Sequence, residues 1–227
     1  MGVLRFTAAF MAAVCLCSMA SCSASKSSSQ GNDTSASQSA ADGTSSVWHE
    51  NRIEPDTGSE EYDLGSYYVS PSGIKLYFEP EEFPPELVLT LEKYFRSYAE
   101  NDYDTYTSCV YPSYVEEMNK FLEKDYGYGL EKSFSNQCDS LNARMKGDFT
   151  ITRIRLENYE GDLAKFFESP SSCFGKDYYS EISGEVGKFY DAMFFIMAED
   201  HDGHESSLIS EYEIVFAEKD GKYYIFG

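Results

Sequence analysis

Basic side chains are scarce in this chain of 227 residues: 18 Lys and Arg stand against 39 Asp and Glu, a formal net charge of -21. So large a deficit excludes a basic stripe that tracks phosphates, and no nucleic-acid partner is expected. It also argues against a protein held on anionic lipid by charge alone. Histidine is scarcer still, with His49, His201 and His204 the only three, all in polar stretches. A catalytic thiol wants an imidazole beside it, so the cysteines lack that setting. There is no glycine-rich phosphate loop, because Gly127-Tyr128-Gly129 merely separates two helical segments. What the chain does have is aromatic mass. Its 19 Tyr and 16 Phe, in a composition 42% hydrophobic, suffice for a substantial core and exclude disorder throughout.

The first residues read as an export signal. Arg5 supplies a positive start, and Phe6 to Leu16 form an apolar run too short to cross about 30 Å of hydrocarbon as a stable helix. Met19-Ala20-Ser21-Cys22 then places small residues before a cysteine, which resembles the bacterial lipoprotein signal. That resemblance implies lipidation of Cys22 as the mature N-terminus, although Met19 departs from the usual Leu. The alternative is an ordinary secretory signal with Cys22 incidental. Residues 23–47 carry no apolar side chain larger than Ala until Val47, and such Ser-rich sequence reads as a disordered tether. The expected location is therefore the bacterial cell membrane, lipid-anchored on the extracytoplasmic side. Residues 1–47 hold two basic (Arg5, Lys26) and two acidic (Asp33, Asp42) residues, so the whole net charge belongs to residues 48–227.

Residues 48–83 read as a polar lead-in ending in a small hairpin, Tyr67 to Val69 and Ile74 to Phe78 about Ser-Pro-Ser-Gly. Residues 84–227 read as one α+β domain. Pro84 and Pro85 open a helix with Leu87, Leu91, Tyr94, Phe95 and Tyr98 on one face of a 3.6-residue period, and Asn101-Asp102 ends it. A short turn of helix comes next. The Ser113-to-Glu116 spacing predicts a capping box before a third helix, and Leu130 to Met145 predicts a fourth. Phe149 to Leu156 is a strand whose apolar parity changes between Ile151 and Ile154, which predicts a bulge. Asp162 to Glu168 reads as a short helix stopping before Pro170. Strands are predicted over 188–198 and 208–218, and Asp220-Gly221 predicts a hairpin into Tyr223 to Phe226. Helices first and a meander afterwards imply a layer of helices on an antiparallel sheet.

Two stretches carry a family resemblance: YFRSYAENDYDTYTSCVYPSYVEEM (94–118) and YEIVFAEKDGKYYIFG (212–227). The first resembles the opening helices, and the second the last two strands, of the nuclear transport factor 2-like or cystatin-like superfamily. The resemblance covers roughly residues 84–227. It implies N-terminal helices packed on a curved antiparallel sheet, a cone whose mouth can hold a ligand, with dimerisation through the sheet as a further expectation. The superfamily includes ketosteroid isomerases, polyketide cyclases, dehydratases and members without catalysis, so the fold does not decide the function.

Several residues are candidates for chemistry. Asp191 shares a strand face with Phe189, Met193, Phe195 and Met197, where desolvation would raise a carboxylate toward the range of a general base. The plainer alternative is that it meets water or bonds nearby backbone. Asp200, His201, Asp202 and His204, with Glu199 and Glu205 beside them, form the cluster with metal-ligand chemistry. It matches no zinc or calcium signature and reads better as a solvated hairpin turning at Asp202-Gly203. Cys109, Cys138 and Cys173 remain after the signal region, with thiols or one disulfide both open. Tyr94, Tyr98, Met193, Phe195 and Tyr212 are the candidate pocket wall. No cofactor is expected. The expected function is a surface lipoprotein whose domain binds a protein, peptide or small ligand without catalysis. An isomerase- or cyclase-like enzyme and a structural envelope spacer are the alternatives.

Overall fold

The computed structural model describes residues 48–59 and 61–227. The expected signal (1–22), Cys22 and the tether (23–47) lie outside the described residues. Among the described residues, no helix is long and apolar enough to cross a membrane. The lead-in carries two single turns, Trp48–Glu50 and Tyr62–Leu64, and Ile53 bridges Tyr67. The hairpin β1 (Tyr68–Val69) and β2 (Lys75–Tyr77) turns through Gly73 at φ 85°, with Ser70 Oγ accepting the Ile74 N–H at 3.2 Å.

Four helices come next. In α1 (Pro85–Glu100), Pro85 occupies the first turn, where its missing N–H costs nothing. Leu87, Leu91, Tyr94, Phe95 and Tyr98 are all buried, and Asn101 ends the helix in the left-handed conformation at φ 52°. Asp102 caps α2 (Tyr103–Cys109) by accepting the Thr105 N–H at 2.9 Å. The third helix, α3 (Pro112–Tyr126), stops at left-handed Gly127. The expected capping box is not formed, because the helix starts at Pro112 and Ser113 Oγ is hydrogen-bonded to Tyr178 OH at 2.9 Å. Asn119 Oδ1 then accepts the first N–H of α4 (Leu130–Met145) at 2.7 Å.

The strands β3 (Phe149–Asn158), β4 (Lys188–Asp200), β5 (Glu205–Lys219) and β6 (Lys222–Phe226) complete a six-stranded open sheet in chain order. One expectation is corrected. The sheet is mixed, because β2 runs parallel to β3 while the other neighbours are antiparallel. Parallel neighbours need a long crossover, and α1 to α4 are that crossover. The parity change in β3 is a bulge, with a register shift between Ile151 and Arg153. Two further shifts lie in the β4–β5 ladder, near Glu211 at φ 53°. Asp220 and Gly221, both with positive φ, make the tight β5–β6 turn.

Period-2 alternation gives β4 two distinct faces. Ala192, Phe194, Ile196 and Ala198 are fully buried toward α1, where Phe95 meets Phe194 with ring centres 5.1 Å apart. Asp191, Met193, Phe195 and Met197 point to the other face and are half-buried. Three short helices lie between β3 and β4: α5 (Leu163–Phe166), α6 (Glu168–Phe174) and α7 (Tyr178–Ser183). They cover the lower part of that second face, with Phe167 against Phe189 and Phe226. The short helix α5 stops before Pro170 as expected, and a second helix, α6, takes Pro170 into its first turn, where proline is tolerated. Covered on both faces, Val215, Phe216 and Ala217 are buried in succession.

Candidate functional site

The space between α1 and the sheet is filled by aromatic rings. Tyr94, Tyr98, Tyr106 and Phe134 pack in T-shaped and tilted contacts with centres 4.8–5.6 Å apart, all nearly or fully buried. Tyr94 OH bonds Tyr98 OH at 3.1 Å and donates to Gly227 O at 3.3 Å. Burial holds both phenols far above their ordinary range, so they act as packed hydrogen-bonding rings. The five candidate pocket residues are not brought together. Tyr94, Tyr98 and Tyr212 lie on the helix side, where Tyr212 packs against Phe194, while Met193 and Phe195 face the opposite way.

Asp191 is on that second face, away from the helix-covered interior. Its Oδ2 accepts the Gly161 N–H at 3.1 Å, and its backbone O accepts the Tyr159 N–H at 3.2 Å. Oδ1 is shielded and has no hydrogen-bond partner among the described residues. A Cβ at Gly161 would collide with Asp191 Oδ2 and with the Tyr159 ring, so glycine permits this close approach. Burial, followed by the nearby Glu213 charge, raises the Asp191 pKa from 3.8 to about 6. Below both values the group is protonated folded or unfolded. Between them only the folded protein holds the proton, so stability falls as pH rises through that window and is flat above it. Asp191→Asn is therefore expected to stabilise the protein at pH 7.5 by about 1 kcal/mol, the shift being discounted for the water that reaches this group, and to do little at pH 4. Urea midpoints at the two pH values check this; equal gains at both would refute it.

The structure draws Asp200, Asp202 and His204 together, with potential ligand atoms within 4.8 Å of one another. His201 instead contacts Asp202 at 3.3 Å. Asp200 already has work in the turn, where its Oδ1 accepts the N–H groups of Asp202 and His204, each at 2.9 Å. Those bonds, His204 first, hold its carboxyl below the usual range. A depressed carboxyl supports the turn above its ordinary pKa and releases it as pH falls. Asp200→Ala is expected to speed amide exchange at Asp202 and His204, whereas Asp200→Asn keeps an acceptor and largely spares them. Equal exchange in both variants would count against this role.

Cys109 and Cys138 are buried free thiols, both raised by desolvation, Cys138 to about 11. Such thiols are inert. Cys173 is half-buried.

The site that sequence reasoning missed lies at the β2–β3 junction. β2 pairs with β3 only where Lys75–Tyr77 meet Arg153–Arg155. Upstream, Phe149–Thr152 run on with β4 on one side and an open cleft of about 820 Å³ on the other. The Ser72–Lys75 turn forms the facing wall, and Arg96, Ala99 and Glu100 of α1 also line the cleft. Its cations are already matched: Lys75 with Glu61 at 2.6 Å, Arg96 with Glu100 at 2.6 Å, and Arg153 with Glu205. Arg96 Nη1 also donates to Ser72 Oγ at 2.7 Å, tying α1 to the turn. Exposed Glu199, another lining residue, has no ion pair among the described residues. The cleft is lined by neither cysteine nor histidine, and within it the Thr152 hydroxyl donates to the Glu205 carboxylate. The parity change at Thr152 hinted at the irregularity, but no local signal showed that β2 stops short. No family model, curated protein or solved structure matches the chain.

Proposed function

We propose that the chain is an exported lipoprotein, anchored to the bacterial cell membrane through Cys22, whose α+β domain is a non-catalytic binding module. The observation that carries this reading is the contrast between a ring-filled interior and an open cleft of about 820 Å³ beside β3, a size typical of ligand sites. The finer fold is a cone of the nuclear transport factor 2-like kind, supported by three opening helices, long bulged strands and a closing hairpin. In this reading the cone interior is packed and the ligand sits at the rim. Self-association through the sheet would use the half-buried row Met193, Phe195 and Met197. An isomerase- or cyclase-like enzyme would need Asp191 inside the cone, whereas it lies beneath the loop at Gly161 on the other face.

A thermal-shift screen against metabolites, sugars and peptides tests the reading. Compounds that raise Tm are expected to lose their effect in Ala99→Trp, which fills the cleft, and to keep it in Asp191→Asn. A compound chemically converted by the protein, with conversion lost in Asp191→Asn, would replace the binding module with the enzyme.

A further inference from the structure

We propose that the cleft takes an extended peptide, which adds to the sheet as a strand beside Phe149–Arg153 and presents a cationic side chain to Glu199. The inference rests on the reading of the cleft as the binding site.

The first support is backbone accounting. Every buried or half-buried strand must place its N–H and C=O groups somewhere. On the side away from β4 no strand pairs with Phe149–Thr152 among the described residues, and all four residues line the cleft. An unprotected strand edge is a template for pairing with another chain. The segment extends about 13 Å at 3.3 Å per residue, in line with the start of β2, enough for about four residues of peptide.

The second support is how the protein treats its other overhang. β5 runs beyond β6, which pairs only with Val215–Lys219. There the Arg144 guanidinium donates to Leu208 O at 2.9 Å and Ser207 O at 3.0 Å, closing part of the edge from α4. No corresponding side chain closes Phe149–Thr152 among the described residues. One overhang is plugged, and the other borders the cleft.

The third support is charge. Lys75, Arg96 and Arg153 are each matched by an acid, which leaves Glu199 unmatched in a domain of net charge -21. Thr150 pairs with Glu199 across β3 and β4, and both are exposed on the second face. A Lys or Arg on an added strand beside Thr150 would lie two strand spacings, about 10 Å, from Glu199, within reach of two long side chains. Neighbouring peptide residues would point the other way, over Ala99. Main-chain bonds would supply affinity, and these two flanks would supply specificity.

The test pans the full-length protein, in detergent micelles, against a synthetic library of end-blocked ten-residue peptides. Selected peptides are expected to be rich in Lys and Arg and to slow amide exchange at Phe149–Arg153 by about tenfold or more. N-methylation of alternate peptide amides should weaken binding by about tenfold or more, as should Glu199→Lys, and Ala99→Trp should abolish it. Circular dichroism confirms that both variants fold, and Glu199→Lys changes only an exposed side chain. Peptides that tolerate N-methylation everywhere, yet are lost in Ala99→Trp, would sink strand addition and leave the cleft. Peptides unaffected by Ala99→Trp and protecting amides elsewhere would sink both. If no peptide is selected, strand addition falls, and the thermal-shift screen alone decides the cleft.

Discussion

Cys22→Ser is expected to abolish palmitate incorporation completely, and the wild-type chain is expected to carry a diacylglyceryl group on Cys22. The expectation rests on the resemblance of Met19-Ala20-Ser21-Cys22 to the bacterial lipoprotein signal. Among the described residues no helix can cross a bilayer, and the net charge of -21, all of it beyond residue 47, repels anionic headgroups. Each buried acyl CH₂ contributes about 0.8 kcal/mol, so a two-chain anchor holds firmly where one chain is marginal. Mass spectrometry of the membrane fraction and labelled palmitate read the outcome. A free processed N-terminus on the wild type would leave an ordinary secreted protein, and label retained by Cys22→Ser would place the acyl group at another residue.

That anchor matters to the proposed site. The lipid anchor proposed at Cys22 would suit a domain that captures extended segments at a surface. Net charge also explains how such an edge could be tolerated. Acidic domains repel one another, and repulsion opposes the edge-to-edge pairing that an open strand otherwise invites.

The helical half of the fold was largely legible because its signals are local. Leu87 to Tyr98 repeat at helical spacing, Pro85 marks the start, and Asn101 and Gly127, which the sequence places at helix ends, close their helices in the left-handed conformation. The Asp220-Gly221 hairpin and the β3 bulge were legible for the same reason. Tertiary competition defeated the rest. Ser113 had the spacing of a cap, but Tyr178, 65 residues away, takes its hydroxyl. The stop before Pro170 was legible, but the second helix that begins at Glu168 and holds Pro170 in its first turn was not. The parallel pairing of β2 depends on how four helices close a crossover, which no local pattern records. The cleft is the consequence of that pairing ending early, and a missing neighbour leaves no mark on the residues beside it. For the pocket candidates, alternation separated Phe194 from Phe195, but which of the two would meet the helices could not be read from the strand alone.

Phe194→Ala is expected to cost about 3–5 kcal/mol, and Phe195→Ala, one residue away, only about 1 kcal/mol. Phe194 is fully buried, opposes Leu156 and Tyr212 on the flanking strands, and packs on Phe95. Removing its ring leaves a void that α1 and three packed strands can close only in part. Phe195 is half-buried on the other face, beneath the Arg155 guanidinium at 5.5 Å, and its loss is partly made good by water. Urea unfolding of both variants measures the difference, and equal losses would show that the faces of β4 are assigned wrongly. The same pair bears on function. If the native interior is packed, a small apolar probe such as benzene should raise the Tm of Phe194→Ala and leave the wild type unchanged, because a dry cavity lined by rings binds such molecules. A wild-type protein that already takes the probe, and loses it when Tyr98 or Phe134 is altered, would return the ligand site from the rim to the interior of the cone.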